Sequence, residues 1–226
     1  QTAPMDEMVL ERLAEYSCFG EDPRGPPPGR RHAAVLVILY ASNRGELRTV
    51  LTVRSSSLTH HPGEVALPGG RFDPHADSNI IDTAYRETEE EIGVRREMLK
   101  TISVLPDILS RVSNFVVTPV VAVYPNKIQK VKFKPNPGEV SCVFTAPLKK
   151  FLHRSKEYSF HILPEDQYPL HVQKHNNRRV MGLTCNILIE TARIAYALEP
   201  EFDFQYPCAR PDGDALDQQE EIIKIE

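Results

Sequence analysis

An α/β fold is predicted by three observations. A continuous apolar run, Ala33 to Tyr40, reads as a strand covered on both faces. A second strand, Leu47 to Arg54, follows across a turn at Ser42 to Gly45 and closes a hairpin. Two later segments, Asn79 to Ile92 and Thr184 to Leu198, repeat apolar residues at helical spacing, so each has a face to lay on a sheet. The chain of 226 residues is 41% hydrophobic, enough for one sizeable core. A single elaborated domain over 32–200 is therefore expected. A helix and Pro/Gly-rich lead-in over 1–31 precede it, and an acidic, loosely ordered tail over 201–226 follows.

In chain order, Asp6 to Tyr16 places Met8, Val9, Leu10, Leu13 and Tyr16 close to helical spacing and predicts a short amphipathic helix. Gly20 to Arg31 is too rich in proline and glycine to be anything but a loop or extended lead-in. After the hairpin, Ser55 to Leu67 is polar and then apolar, a loop and short strand that deliver Gly69 and Gly70. Asp77 or Ser78 is the expected N-cap of the first long helix and Gly93 its stop, with Ile81, Ala84, Tyr85 and Ile92 turned to the sheet. Leu99 to Leu105 and Phe115 to Tyr124 read as strands, and Pro119 implies an edge position or a bulge in the second. Val140 to Leu148 carries an apolar cluster, and short irregular strands are expected near Tyr158 to Leu163 and Pro169 to Gln173. Thr184 is the expected cap of the last helix.

Bulk properties exclude some partners. A net charge of −4 provides no global basic field, so nucleic acid is not expected as a partner. No apolar run approaches the roughly 18 residues that span a bilayer, so no membrane association is expected either. Cys18, Cys142, Cys185 and Cys208 form no CxxC pair and read as reduced thiols of an intracellular protein. His60 and His61 lack zinc-ligand spacing with Cys18 or Cys142.

The chemistry concentrates between Gly69 and Val94. Glu87, Glu90 and Glu91 stand at i, i+3 and i+4, so a helix brings them within reach of a common ion. Like charges at this spacing destabilise a helix by roughly 0.2–0.5 kcal/mol, and acids in the last turn oppose the helix dipole by roughly 0.3–1 kcal/mol each. A divalent cation would reverse both penalties. A merely solvated acidic face is the simpler alternative, and the neighbouring residues weigh against it.

The run Arg86-Glu87-Thr88-Glu89-Glu90-Glu91-Ile92-Gly93-Val94 resembles the second half of the Nudix box. Upstream, Leu51, Thr52, Arg54, Ser55, Gly63, Pro68, Gly69 and Gly70 resemble the additional signature of the coenzyme A pyrophosphatase branch of that family. Asn136 to Val140 and Gly182 to Thr184 are also similar to that branch, close to its fungal peroxisomal members. The resemblance implies a Nudix-type α/β/α sandwich with a central mixed β-sheet. It implies Mg2+ or Mn2+ held by Glu87, Glu90 and Glu91, with Glu91 or Glu139 as the proton acceptor. Arg54, Ser55, His60, Gly69, Gly70 and Arg71 are the candidate substrate contacts, and Arg86 a structural tie from the helix to the loop glycines or Asp77. The implied substrate is coenzyme A or its acyl or oxidised derivatives, cleaved to 4′-phosphopantetheine or its acyl form and adenosine 3′,5′-bisphosphate. The implied compartment is the peroxisome, with the mitochondrion second; the oligomeric state is left open.

This chain departs from the pattern in four places. The loop between Gly70 and Arg86 is longer than usual and displaces the usual loop glutamate, leaving Asp77 as its nearest counterpart. Thr88 replaces an aliphatic residue, Leu67 a phenylalanine and Thr59 an arginine. The last change removes a phosphate clamp for which Arg54, His60, His61 or Arg71 could substitute. Two other functions fit the same residues: hydrolysis of oxidised nucleoside triphosphates such as 8-oxo-dGTP, and an inactive module that only binds a nucleotide.

Overall fold

The computed structural model describes residues 7–17, 30–110, 114–125, 132–162 and 169–207. Its axis is β1 (Arg31–Ala41), which runs parallel to β7 (Phe115–Val123) from Arg31 opposite Phe115 to Leu39 opposite Val123. The other edge of β1 changes partner along its length. Ala33 to Val35 pair antiparallel with β4 (Gly69–Arg71), whereas Leu39 to Ala41 pair antiparallel with β2 (Leu47–Arg54). The sheet therefore forks beside the middle of β1. Strand β2 carries β3 (Val65–Ala66) and β8 (Val140–Pro147); β7 carries β5 (Lys100–Val104) and β6 (Ile108–Ser110).

Alternation along β1 divides the core in two. Ala34, Leu36, Ile38 and Tyr40 face α2 (Ile80–Ile92) and pack with Ile80, Ala84, Tyr85 and Ile92. Val37 and Leu39 face the opposite way, toward α1 (Glu7–Glu15) and α3 (Gly182–Tyr196), and pack with Val9, Leu13, Ile187 and Leu188. The result is the expected α/β/α arrangement around a mixed sheet. On the α3 side lies a second, antiparallel sheet of β9 (Tyr158–Ile162), β10 (Pro169–His175) and β11 (Arg178–Met181). Its β10–β11 turn uses Asn176 and Asn177, both at positive φ, as a tight hairpin requires.

Several expectations are corrected. Pro119 lies in a central strand, not at an edge. It faces the gap where β5 ends and β6 begins, with its carbonyl accepting from Leu105 N–H at 2.9 Å, so its missing N–H leaves no ladder bond unmade. The N-cap of α2 is Asn79, whose side chain accepts from Ile81 and Asp82 N–H at 2.9 and 3.0 Å. Ile80 is the fully buried residue at the start of that helix, and Ile81, expected on the sheet face, packs partly buried against the same cluster. The last helix begins at Gly182 after Met181, and Thr184 is a buried residue, not a cap. Of the segment expected to be a loose tail, residues 201–207 are packed. Phe202 stacks on Tyr158 at 4.2 Å between ring centres, and Tyr206 Oη donates to Pro106 O at 3.0 Å. Cys142 and Cys185 are free thiols; Cys18 and Cys208 lie outside the described residues.

Because Leu13 is fully buried among residues of the sheet and α3, α1 belongs to the main core. Leu13→Ala is expected to destabilise the protein by about 2–5 kcal/mol in chemical denaturation. A change below half a kilocalorie would show instead that α1 is an appendage.

Candidate active site

Helix α2 ends where Gly93 takes a left-handed conformation (φ 71°) and returns its N–H to Glu89 O at 2.9 Å. Two further carbonyls of its last turn are satisfied from far along the chain. Lys134 N–H donates to Ile92 O and Asn136 N–H to Glu91 O, both at 2.9 Å. This docks the loop that carries Glu139 against the acidic end of the helix. Asn136 Nδ2 donates to Glu139 Oε2 at 3.0 Å, and Ser55 N–H donates to Glu139 O at 2.8 Å, tying in the end of β2.

The two glycines of β4 complete the enclosure. Gly69 N–H donates to Glu91 Oε2 at 3.1 Å. With φ at 151°, a Cβ on Gly69 would lie 2.2 Å from Ala34 O. A Cβ on Gly70 would lie 2.3 Å from the carboxyl carbon of Glu87. No side chain larger than hydrogen fits at either position without moving the backbone or the carboxylates.

One cation organises the acids. Arg86 Nε and Nη2 donate to the two oxygens of Asp77 at 2.8 and 3.0 Å, Nη1 to Glu87 Oε1 and Glu90 Oε2 at 3.0 and 3.2 Å, and Nη2 to Arg71 O at 3.1 Å. Asp77, buried, also accepts from Thr83 Oγ1 at 2.8 Å and Asp73 N–H at 3.0 Å. Burial works against its charge, but the bonds from Arg86, Asp73 and Thr83 outweigh it and hold the carboxyl below its usual range. The expectation that Arg86 ties Asp77 and the loop to the helix agrees with this geometry.

The three helix acids do not all face away from the sheet. Glu90 is exposed, Glu87 is half-buried, and Glu91 is only 6% exposed. Burial pushes Glu91 up to about 7; the charges of Glu87 and Glu139 add to the rise, while the Gly69 amide and the Arg54 charge oppose it. Burial likewise raises Glu87, against the pull of Arg86. Glu87, Glu91, Glu139 and Arg54 thus share one electrostatic neighbourhood at the fork between β4 and β2. The remaining candidates are placed differently. Ser55 turns its hydroxyl to Ser57 Oγ at 2.9 Å, so its contribution here is the backbone amide. His60 is exposed and offers its carbonyl to Arg54 Nε at 3.4 Å. Arg71 directs its guanidinium across β1 to the ring of Phe115, 5.1 Å from the ring centre.

The donor set fits a hard divalent cation: every candidate ligand is a carboxylate oxygen, as Mg2+ and Mn2+ prefer. Among the described residues no three acidic, histidine or cysteine side chains are already gathered as a cage. Glu87 and Glu90 instead share Arg86 Nη1, and the exposed Glu90 is free to turn. Asn136 was legible only within a motif, and Asn79 as N-cap was missed, although Asn79 followed by Asp82 approximates a capping box.

A carboxylate-lined fork, closed by a Gly-Gly strand and an Arg-braced helix, is thus the centre of this α/β domain. The chain belongs to the NUDIX family, whose domain model matches residues 30–165. It is 38% identical over 197 residues to Nudix hydrolase 15, mitochondrial, of Arabidopsis thaliana, covering 84% of this chain and 66% of that protein. It is 36% identical over 168 residues to the uncharacterised Nudix hydrolase NudL of Pectobacterium atrosepticum, covering 74% and 84%. The chain therefore spans just under two thirds of the plant relative and most of the bacterial one. Among solved structures, a Nudix hydrolase from M. smegmatis, RenU, aligns with a TM-score of 0.45 at 21% identity over 58% of this chain and 82% of that one.

The raised Glu91 has a consequence for stability. Its folded-state value lies above the unfolded one, so the fold favours the neutral acid. The contribution is fully present below about 4.5 and is lost as pH rises toward about 7. The loss amounts to roughly 3 kcal/mol by linkage. In the absence of divalent metal, Glu91→Gln is expected to gain stability relative to the parent between pH 5 and pH 8, measured by denaturant unfolding. An unchanged difference across that range would contradict the buried placement of this carboxyl.

Proposed function

We propose that the chain is a divalent-metal-dependent NUDIX hydrolase that cleaves the pyrophosphate of coenzyme A or its acyl or oxidised derivatives. The observation that carries the hydrolytic reading is the electrostatic neighbourhood that Glu87, Glu91 and Glu139 share at the fork of the sheet, where α2, β4 and the loop before β8 converge, with the exposed Glu90 acting on Glu87 from the rim. Glu87, Glu90 and Glu91 are the proposed ligands of Mg2+ or Mn2+. When bound, such an ion lowers the pKa of water and neutralises charge on the pyrophosphate.

The protein's own groups do the rest. Glu91, held at Gly69 N–H, and Glu139, oriented by Asn136, are the proposed proton acceptors. Burial and the neighbouring acids favour protonation of Glu91, which makes its carboxylate the more basic proton acceptor. Arg54 stands on the facing rim, close enough for its charge to act on Glu91, and is the proposed phosphate contact in place of the arginine absent at Thr59.

Support for coenzyme A comes from the three stretches that resemble its pyrophosphatases, together with the Nudix-box helix they adjoin. Distant in sequence, they are neighbours in space. Arg54 N–H donates to Glu64 O at 2.9 Å, Ser55 N–H to Glu139 O at 2.8 Å, Asn136 N–H to Glu91 O at 2.9 Å, and Thr184 Oγ1 to Val65 O at 3.5 Å. Residues that meet around one fork are suited to one ligand. The mitochondrial plant relative supports the mitochondrion, rather than the peroxisome, as the proposed compartment.

Purified protein with Mg2+ or Mn2+, offered coenzyme A, acyl-coenzyme A, NADH and 8-oxo-dGTP, is expected to turn over the coenzyme A substrates fastest. Intact coenzyme A beside rapid loss of 8-oxo-dGTP would overturn the substrate assignment. Glu90→Gln is expected to lower the rate by roughly 10²-fold, the scale of a lost transition-state charge contact, with little change in thermal unfolding. Unchanged metal-dependent hydrolysis would remove Glu90 from the site.

A further inference from the structure

Strand β4 has two sides, and only one serves the carboxylates. Successive residues of a strand project to opposite faces. Gly70 faces α2 and abuts Glu87, so Arg71 projects to the other face, where its guanidinium lies 5.1 Å from the centre of the Phe115 ring. Arg31, opposite Phe115 in the β1–β7 ladder, places its own guanidinium 4.5 Å from the same ring centre. Two like charges are thus gathered on one aromatic side chain. Among the described residues no carboxylate pairs with Arg71.

A shelf connects this pair to the fork. On the α2 side of β1, His32, Ala34 and Leu36 are all buried; on the Arg71 side, Ala33 and Val35 are only half-buried and Arg31 is exposed. Val35 lies opposite Gly69 and Ala33 opposite Arg71 in the β1–β4 ladder. A strip of two small, partly exposed side chains, Ala33 and Val35, therefore lies beside β4 between the glycine that holds Glu91 and the arginine that covers Phe115. A molecule whose pyrophosphate lies at the carboxylates can extend along this strip and bring a second anionic group to the arginines.

We propose that Arg71 and Arg31, set over Phe115, form a subsite for a phosphate monoester on the nucleoside half of the substrate. Guanidinium groups suit this role because their planar forks donate in pairs to phosphate oxygens. The inference rests on the coenzyme A reading for the identity of the ligand, whose ribose carries such a group at its 3′ position. It separates Arg71, reaching the far phosphate, from Arg54, which faces the pyrophosphate.

The test measures binding by calorimetry of adenosine 3′,5′-bisphosphate and adenosine 5′-monophosphate to the parent protein, Arg71→Gln, Arg31→Gln and Arg71→Lys, with magnesium present. The parent is expected to prefer the bisphosphate at least tenfold. Each Gln variant is expected to cut that preference threefold or more, while Arg71→Lys, which keeps the charge, retains part of it. No preference in the parent, or one that survives both Gln substitutions, overturns the subsite. Failure to cleave coenzyme A, with an arginine-dependent preference intact, refutes the substrate and leaves the subsite standing.

Discussion

Arg86 is the interaction on which the rest of the site depends. Glu87, Glu90 and Glu91 crowd the last turns of α2 with Asp77 buried nearby, and this guanidinium supplies a counter-charge to Asp77, Glu87 and Glu90 while also holding the carbonyl of Arg71. The two-pronged bond to Asp77 fixes the loop between β4 and α2. Through Arg71 O the same side chain fixes the edge of β4, and so the glycines that meet Glu87 and Glu91. Its reach stops short of Glu91, which meets the crowding by a raised pKa and a single backbone hydrogen bond.

That division gives the three helix acids different characters despite their shared spacing. Glu90 is solvated, Glu87 is half-buried and paired, and Glu91 is enclosed. Strand β4 extends the asymmetry across the sheet. Its glycines admit carboxylates on one side, and its arginine joins Arg31 over Phe115 on the other. A thin three-residue strand thus separates an acidic site from a basic one, an arrangement suited to a ligand that needs metal at one phosphate and guanidinium at another.

Much of this was legible in the sequence where the signal was local. The apolar run of β1, the Ser42–Gly45 turn, the helical spacing of α2 and its stop at Gly93 all follow from short-range rules, and the structure keeps them. The order Arg86 to Val94 marked the chemistry. What the sequence could not convey were partners far along the chain. The enclosure of Glu91 was not legible, because its acceptor role depends on Gly69, 22 residues away. Pro119 read as an edge or a bulge because the gap between β5 and β6 is set by strand pairing, not by composition. Arg31 and Phe115 carried no signal at all, since only the parallel β1–β7 ladder places them side by side.

The central claim is that the acids of α2 form a divalent-metal site for which Arg86 is the internal counter-ion. Manganese binding measured by electron paramagnetic resonance on the parent and on Glu87→Gln, Glu90→Gln and Glu91→Gln tests it without relying on turnover. The account predicts saturable loss of the free-ion signal for the parent and affinities weakened about tenfold or more in each variant. A parent protein that binds no Mn2+, or variants that all bind it equally well, would contradict the account.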